Sequence, residues 1–152
     1  LIENEDNLFI SSKEGLKDIQ GFQEVARNKF TSSALSEHTN YRPWGWYKTL
    51  EKSHFYKVKK ISVSIGESIS LQSHRHREEI WTIVKGSAEF YLDKKISNLS
   101  EGQSVRILKK SRHYIKNIGS SNLEFIEVQL GSYLEEDDIV RYVDKYDRKL
   151  IY

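Results

Sequence analysis

His74-Arg75-His76 places two imidazoles at i and i+2, just after a strand-like run from Ile69 to Gln72. On an extended strand that spacing sends both rings to one face. Glu79 follows three residues later, and His113 lies on a later strand-like segment. Three imidazoles and a carboxylate form a donor set that suits Zn, Fe, Mn, Co or Ni and leaves positions open for a ligand. Alone, His-x-His is a weak signal, since histidines also fall at this spacing by chance. The chain contains no cysteine. Disulfides and thiolate sites are therefore excluded, and a metal would have to be held by imidazole, carboxylate or amide groups. His38 and His54 sit in linker or loop text and are assigned no role.

The elements that must position these residues are mostly strands. Phe55 to Val63 alternates polar and apolar residues, and Ile80 to Val84 is a short apolar run. Ser87 to Leu92, a turn at Asp93-Lys94-Lys95, and Ile96 to Leu99 read as a hairpin. Ser104 to Leu108, His113 to Asn117 and Leu123 to Leu130 complete the series, with Gly66, Gly86, Gly102, Gly119 and Gly131 near the breaks. Many short strands at close spacing with Gly-marked turns predict an all-β sandwich or barrel. Glu135 to Arg148 predicts a C-terminal helix, with Ile139, Tyr142, Val143 and Tyr146 on one side and the acids of 135–138 at its start. That acidic run lacks the Gly and alternating oxygens of a calcium loop. Trp44, Trp46 and Trp81 are read as packing groups between the barrel and an N-terminal arm.

The arm is residues 1–40. Asn7 to Ile10 predicts a short strand, and Leu16, Ile19, Phe22, Val25 and Ala26 are spaced as in an amphipathic helix. Asn28 to Asn40 is polar and rich in Ser and Thr, a linker. The division expected is thus an arm over 1–40 and one folded domain over 41–152. The chain opens on Leu1 and has no Met, which reads as a piece of a longer polypeptide. With 24 basic against 22 acidic residues, the net charge of +2 gives no bulk attraction to nucleic acid or an acidic membrane. No apolar run approaches the ~20 residues of a membrane span, and no signal peptide opens the chain. Cytoplasmic residence is the default.

Gly66…His74-x-His76…Glu79-x6-Gly86 resembles the first motif of the cupins, and Gly102-x10-His113-x3-Asn117 resembles the second. The likeness tightens with Arg42-Pro43-Trp44-Gly45-Trp46-Tyr47, Ser70 to Arg77, Ile126 to Gly131, Glu136 to Arg141 and Asp144-x-Tyr146-x-Arg148. In that order these resemble the type II mannose-6-phosphate isomerase family over about Tyr41 to Arg148. The resemblance implies a cupin, a double-stranded β-helix, binding one divalent metal (Zn, with Co, Mn or Mg as alternatives). It implies interconversion of mannose 6-phosphate and fructose 6-phosphate, feeding GDP-mannose and polysaccharide biosynthesis. Members commonly form the C-terminal part of a bifunctional enzyme whose N-terminal part is a mannose-1-phosphate guanylyltransferase. Residues 1–40 are similar to the segment joining the two activities. No Gly-rich nucleotide-binding segment is present here, so guanylyl transfer is not expected.

Three departures stand out. Ile80 occupies the place of a family His, and Leu108 and Lys110 replace the Pro and Gly that precede the His of the second motif. On a regular strand Glu79 would face away from His74 and His76, so a bend must intervene if it is a ligand. Gln72 could replace it through its amide oxygen, because isomerases of the related type use Gln and His at this spacing. The metal candidates are therefore His74, His76, His113, Gln72 and Glu79.

Aldose–ketose isomerisation requires a proton carrier, an electrophile and a grip on the phosphate. Glu79, if not a ligand, and Glu127 are the candidate proton carriers. The resemblance points to Arg141 as the catalytic-site arginine. Arg42, Arg148 and Lys59 are candidates for the phosphate, Arg offering bidentate contacts; Lys57 and Lys59 also read as ordinary surface charges. Two other classes are carried alongside. One is a non-catalytic sugar-phosphate-binding cupin, or one that pairs through edge strands as a homodimer. The other is an iron oxygenase, which would leave the basic residues without a task.

Overall fold

Inward and outward side chains alternate along the long central strands among the described residues. The computed structural model describes residues 2–4, 7–9 and 39–143, in two compact units, Leu1–Leu35 and Ser36–Tyr152. In the first unit β1 (Ile2–Asn4) pairs antiparallel with β2 (Asn7–Phe9). The helix expected over 16–26 lies outside the described residues, as does Arg148.

The second unit is built from β3 (Thr39–Arg42), β4 (Gly45–Lys52), β5 (Tyr56–Val63), β6 (Leu71–His74) and β7 (Arg77–Lys85). These are followed by β8 (Ser87–Leu92), β9 (Lys95–Ser100), β10 (Ser104–Ile107), β11 (His113–Asn117), β12 (Leu123–Gly131) and β13 (Ile139–Val143). They form two antiparallel sheets, ordered β10-β7-β12-β5-β4-β3 and β13-β6-β11-β8-β9. Side chains from both inner faces meet in one core. Ile61, Trp81, Ile83 and Phe125 come from the first sheet, and Phe90, Leu99 and Ile115 from the second. Trp81 and Phe90 join the sheets edge to face at 5.7 Å. Burying Phe90 and Phe125 contributes roughly 2–3 kcal/mol each.

The β8–β9 hairpin turns through Asp93 and Lys94, both at positive φ (44° and 78°), the left-handed pair that matches strand twist. Gly45 opens β4 at φ 144°, and a Cβ there would lie 2.1 Å from the Ser62 carbonyl oxygen. Only glycine fits that approach.

Three expectations require correction. Glu135 onward does not form a helix within the described residues: Glu136–Asp138 is one 3-10 turn and Ile139–Val143 is a strand on β6. The segment Ile139-Val140-Arg141-Tyr142 fits period 2 as well as period 3.6, and pairing to β6 decides between them. Trp81 is wholly buried inside the barrel rather than between barrel and arm. Lys57 and Lys59 are buried, not surface charges, because they share the inward face of β5 with Ile61. Among the described residues no helix is long and apolar enough to cross a membrane.

Candidate metal centre

β6 and β7 are consecutive in sequence but lie in different sheets, joined by a bend at Arg75-His76. Beyond the bend the parity of β6 no longer applies. Arg77, Glu79 and Trp81 point inward from one sheet while His74 points inward from the other. His113 joins from β11, where it pairs in register with Gln72. His74, Glu79 and His113 thus bring one donor atom each to within 4.8 Å of one another, all three buried.

The donor chemistry fits a divalent cation. His74 Nδ1–H donates to the Asp138 carbonyl at 3.3 Å, and His113 Nδ1–H donates to the Ser111 carbonyl at 2.9 Å. A carbonyl can only accept, so each ring keeps its proton on Nδ1 and presents a lone pair at Nε2. Those two Nε2 atoms lie 3.1 and 3.7 Å from the Glu79 carboxylate oxygens, yet neither meets hydrogen-bond geometry with any partner. Two orphaned buried nitrogens facing one carboxylate are what metal ligands look like. Gln72 is buried two residues before His74, on the same strand face, and is the amide that can add a fourth donor.

His76 does not join them. It is 56% exposed, its Nδ1 lies 2.8 Å from Asp138 Oδ1, and its ring meets Tyr133 edge to face. Asp138 is buried and accepts the backbone N–H groups of Arg75 and His76 at 3.1 and 3.2 Å. It therefore holds the bend with its carboxylate and orients His74 with its carbonyl. Sequence reading missed this residue because nothing in an acidic run marks one member as a cap.

Around the centre lies a polar layer. Arg77 Nε donates to Glu79 Oε1 at 2.9 Å, and Nη1 donates to the Glu135 carbonyl at 3.0 Å. Trp81 Nε1–H and the Gln129 amide each reach both Glu79 and Glu127. Burial alone would raise the Glu79 carboxyl pKa, but His74, Arg77 and His113 outweigh it and hold the group well below the usual range. Burial, and then repulsion from Glu79, push Glu127 up to about 7. Burial pushes His113 down to about 4 against the attraction of Glu79. Arg77 and Gln129 were legible in principle, since each alternates with a carboxylate already singled out.

A cleft enclosing about 490 Å³, its open mouth included, runs up to this layer. Arg42, Lys59, Arg141, Trp44 and Tyr47 line it together with Gln72, Arg77 and Glu127, whereas His74, Glu79 and His113 do not. Arg141 enters from β13, opposite Gln72 in register. Arg42 stands at the exposed rim, bonded to Tyr47 Oη at 3.3 Å. Ile80 alternates outward from Glu79, Leu108 is exposed, and Lys110 meets the site only through its backbone N–H, which donates to the His74 carbonyl at 2.7 Å. None of the three departures puts a side chain into the centre.

Comparison with known proteins shows a family and a fold. Residues 30–144 match the family described as mannose-6-phosphate isomerase C-terminal. The chain is 36% identical over 148 residues to a mannose-1-phosphate guanylyltransferase of Escherichia coli (strain K12), covering 97% of this chain and 31% of that protein. It is 37% identical over 148 residues to the xanthan biosynthesis protein XanB of Xanthomonas campestris, covering 97% and 32%. It therefore spans about a third of the length of these curated relatives. Among solved structures, the Cnp3 cupin domain of Schizosaccharomyces pombe superposes with a TM-score of 0.57 at 14% identity, covering 65% of this chain and 72% of that one, a likeness of fold alone. With 115 consecutive residues matched, 30 through 144, and a cupin barrel around the centre, the chain belongs to the mannose-6-phosphate isomerase C-terminal family.

Proposed function

We propose that this domain is a metal-dependent aldose–ketose isomerase acting on mannose 6-phosphate and fructose 6-phosphate. The observation that carries the reading is the meeting of two orphaned Nε2 atoms and one carboxylate behind a cleft lined by cations. His74, His113 and Glu79 would hold the ion, with Gln72 as the fourth donor. A divalent cation, Zn in the first instance, supplies Lewis-acid stabilisation of charge that develops on the sugar oxygens. Glu127 is the proton carrier in this reading, since its carboxyl is poised near neutrality. Lys59, Arg141 and Arg42 grip the phosphoryl group, Arg with its planar fork. Trp44 and Tyr47 wall the cleft against water. Guanylyl transfer, the activity named for the Escherichia coli relative, belongs in this reading to the length of that protein that this chain does not match.

The test is to strip the protein of metal, restore Zn, Co, Mn or Mg singly, and measure interconversion of the two sugar phosphates. Turnover that returns with a cation supports the reading. No turnover with any cation, while phosphate still binds, would replace it with a non-catalytic binding domain. Ile80, Leu108 and Lys110, the departures from the family pattern, have their side chains outside the centre.

A further inference from the structure

The segment 132–138, between β12 and β13, carries four consecutive acids, and each has a different partner. Glu135 pairs with Lys52 at 2.8 Å, Asp137 accepts from the Tyr133 hydroxyl at 2.8 Å, and Asp138 caps the bend. Glu136 alone of the four turns into the cleft, where its carboxylate closes on Lys59 Nζ. Lys59 is 4% exposed, while the Glu136 side chain is 45% exposed, so the acid reaches a buried cation from the solvent side. The Tyr47 ring lies 4.5 Å from the same ammonium, and Glu127 Oε1 is 4.0 Å away. The segment has anchors besides this pair: Lys57 Nζ donates to the Leu134 carbonyl, and Arg77 to the Glu135 carbonyl. Glu136 can therefore swing out without releasing the backbone that carries it.

We propose that Glu136 is a built-in anion on the Lys59 subsite, displaced only by a phosphoryl group, and so the residue that discriminates phosphorylated from unphosphorylated sugars. The inference rests on the sugar-phosphate reading of the cleft. A phosphoryl dianion replaces the carboxylate with more charge and more acceptor oxygens. A neutral hydroxyl leaves a buried ammonium short of its counter-charge, which is costly in a desolvated site. Burial would raise the Glu136 carboxyl pKa, but Lys59, Arg77 and Lys57 hold it below the usual range, so the plug is charged at neutral pH.

The experiment is calorimetric titration of inorganic phosphate into the wild-type chain, Glu136→Gln and Asp137→Asn. Glu136→Gln should bind phosphate about three- to tenfold more tightly, the range for losing one partly exposed competing charge. Unphosphorylated mannose should also become a better competitor of phosphate in that variant. Asp137→Asn, outside the cleft, should leave phosphate affinity unchanged. Equal tightening in Asp137→Asn would make bulk charge the cause and overturn the proposal. So would equal or weaker phosphate binding in Glu136→Gln, or no binding in either protein. Should Glu136→Gln fail to fold, Glu136→Asp, whose shorter carboxylate retracts from Lys59, should show the same tightening to a smaller degree. Phosphate tightening without isomerase turnover would sink the isomerase reading alone; turnover without tightening would sink this one alone.

Discussion

Glu79 and Glu127 reach into the barrel from adjacent strands and share both of their neutral donors. Trp81 Nε1 lies 3.2 Å from Glu79 Oε2 and 3.0 Å from Glu127 Oε2, and Gln129 Nε2 lies 3.4 Å from Glu79 Oε1 and 2.7 Å from Glu127 Oε1. Burial raises both carboxyl pKa values. Glu79 also faces Arg77 and the two imidazoles, which reverse the effect, whereas Glu127 has Glu79 as its largest electrostatic neighbour. Two carboxylates driven apart in this way are suited to different tasks, ligand for one and proton carrier for the other.

The Glu127 carboxyl should titrate near pH 7 in metal-free protein, protonated below and ionised above, measured by carbon-13 NMR of the side-chain carboxyl. Glu127→Gln should lower isomerisation by about 100-fold or more, the usual worth of a positioned acid–base group, without loss of phosphate binding.

Stability against pH follows from the same groups in metal-free protein. His113 has a folded pKa of about 4 against the ordinary 6.5, so the unfolded chain takes the proton first. Its contribution is full above pH 6.5 and is lost as pH falls through 4. Glu127 has a folded pKa of about 7 against 4.5, so its contribution is full below 4.5 and is lost as pH rises through 7. Each amounts to about 3 kcal/mol, and between pH 4.5 and 6.5 the slopes oppose. Wild-type denaturation midpoints should therefore vary little in that window. Glu127→Gln should gain stability with rising pH and His113→Gln should lose it; parallel profiles for the two variants would contradict the assignment.

Metal content separates the histidines. His74→Ala and His113→Ala should each lose bound zinc by elemental analysis after dialysis, whereas His76→Ala should retain it. Retention by all three variants would remove His74 and His113 from the site.

Asp138→Ala should destabilise the domain by about 2–3 kcal/mol in chemical denaturation, because it leaves the Arg75 and His76 N–H groups without their acceptor. Asp137→Ala, one residue away and exposed, should change stability by less than about 0.5 kcal/mol.

Where local pattern decides, the sequence was sufficient. Period-2 alternation and Gly-marked turns marked most strands of the barrel, and the Asp93-Lys94 turn was legible from its residues alone. β3, β4 and β13 were not foreseen as strands. The first half of β3, Thr39-Asn40, lies in text that reads as a polar linker, and β13 has a periodicity that also suits a helix.

Residue identity and spacing determined the donor types, the absence of thiolates and the membership of His74, Glu79 and His113 in one set of candidates. Tertiary structure decided which candidates meet. Spacing along a chain predicts a shared face only while the chain stays in one sheet; at Arg75-His76 it crosses to the opposing sheet, which turns Glu79 inward and leaves His76 outside. The partners that finish the site, Asp138 for His74 and Glu136 for Lys59, lie 64 and 77 residues away in the chain. Contacts of that range are set by how the sheets close, which no local pattern of residues encodes.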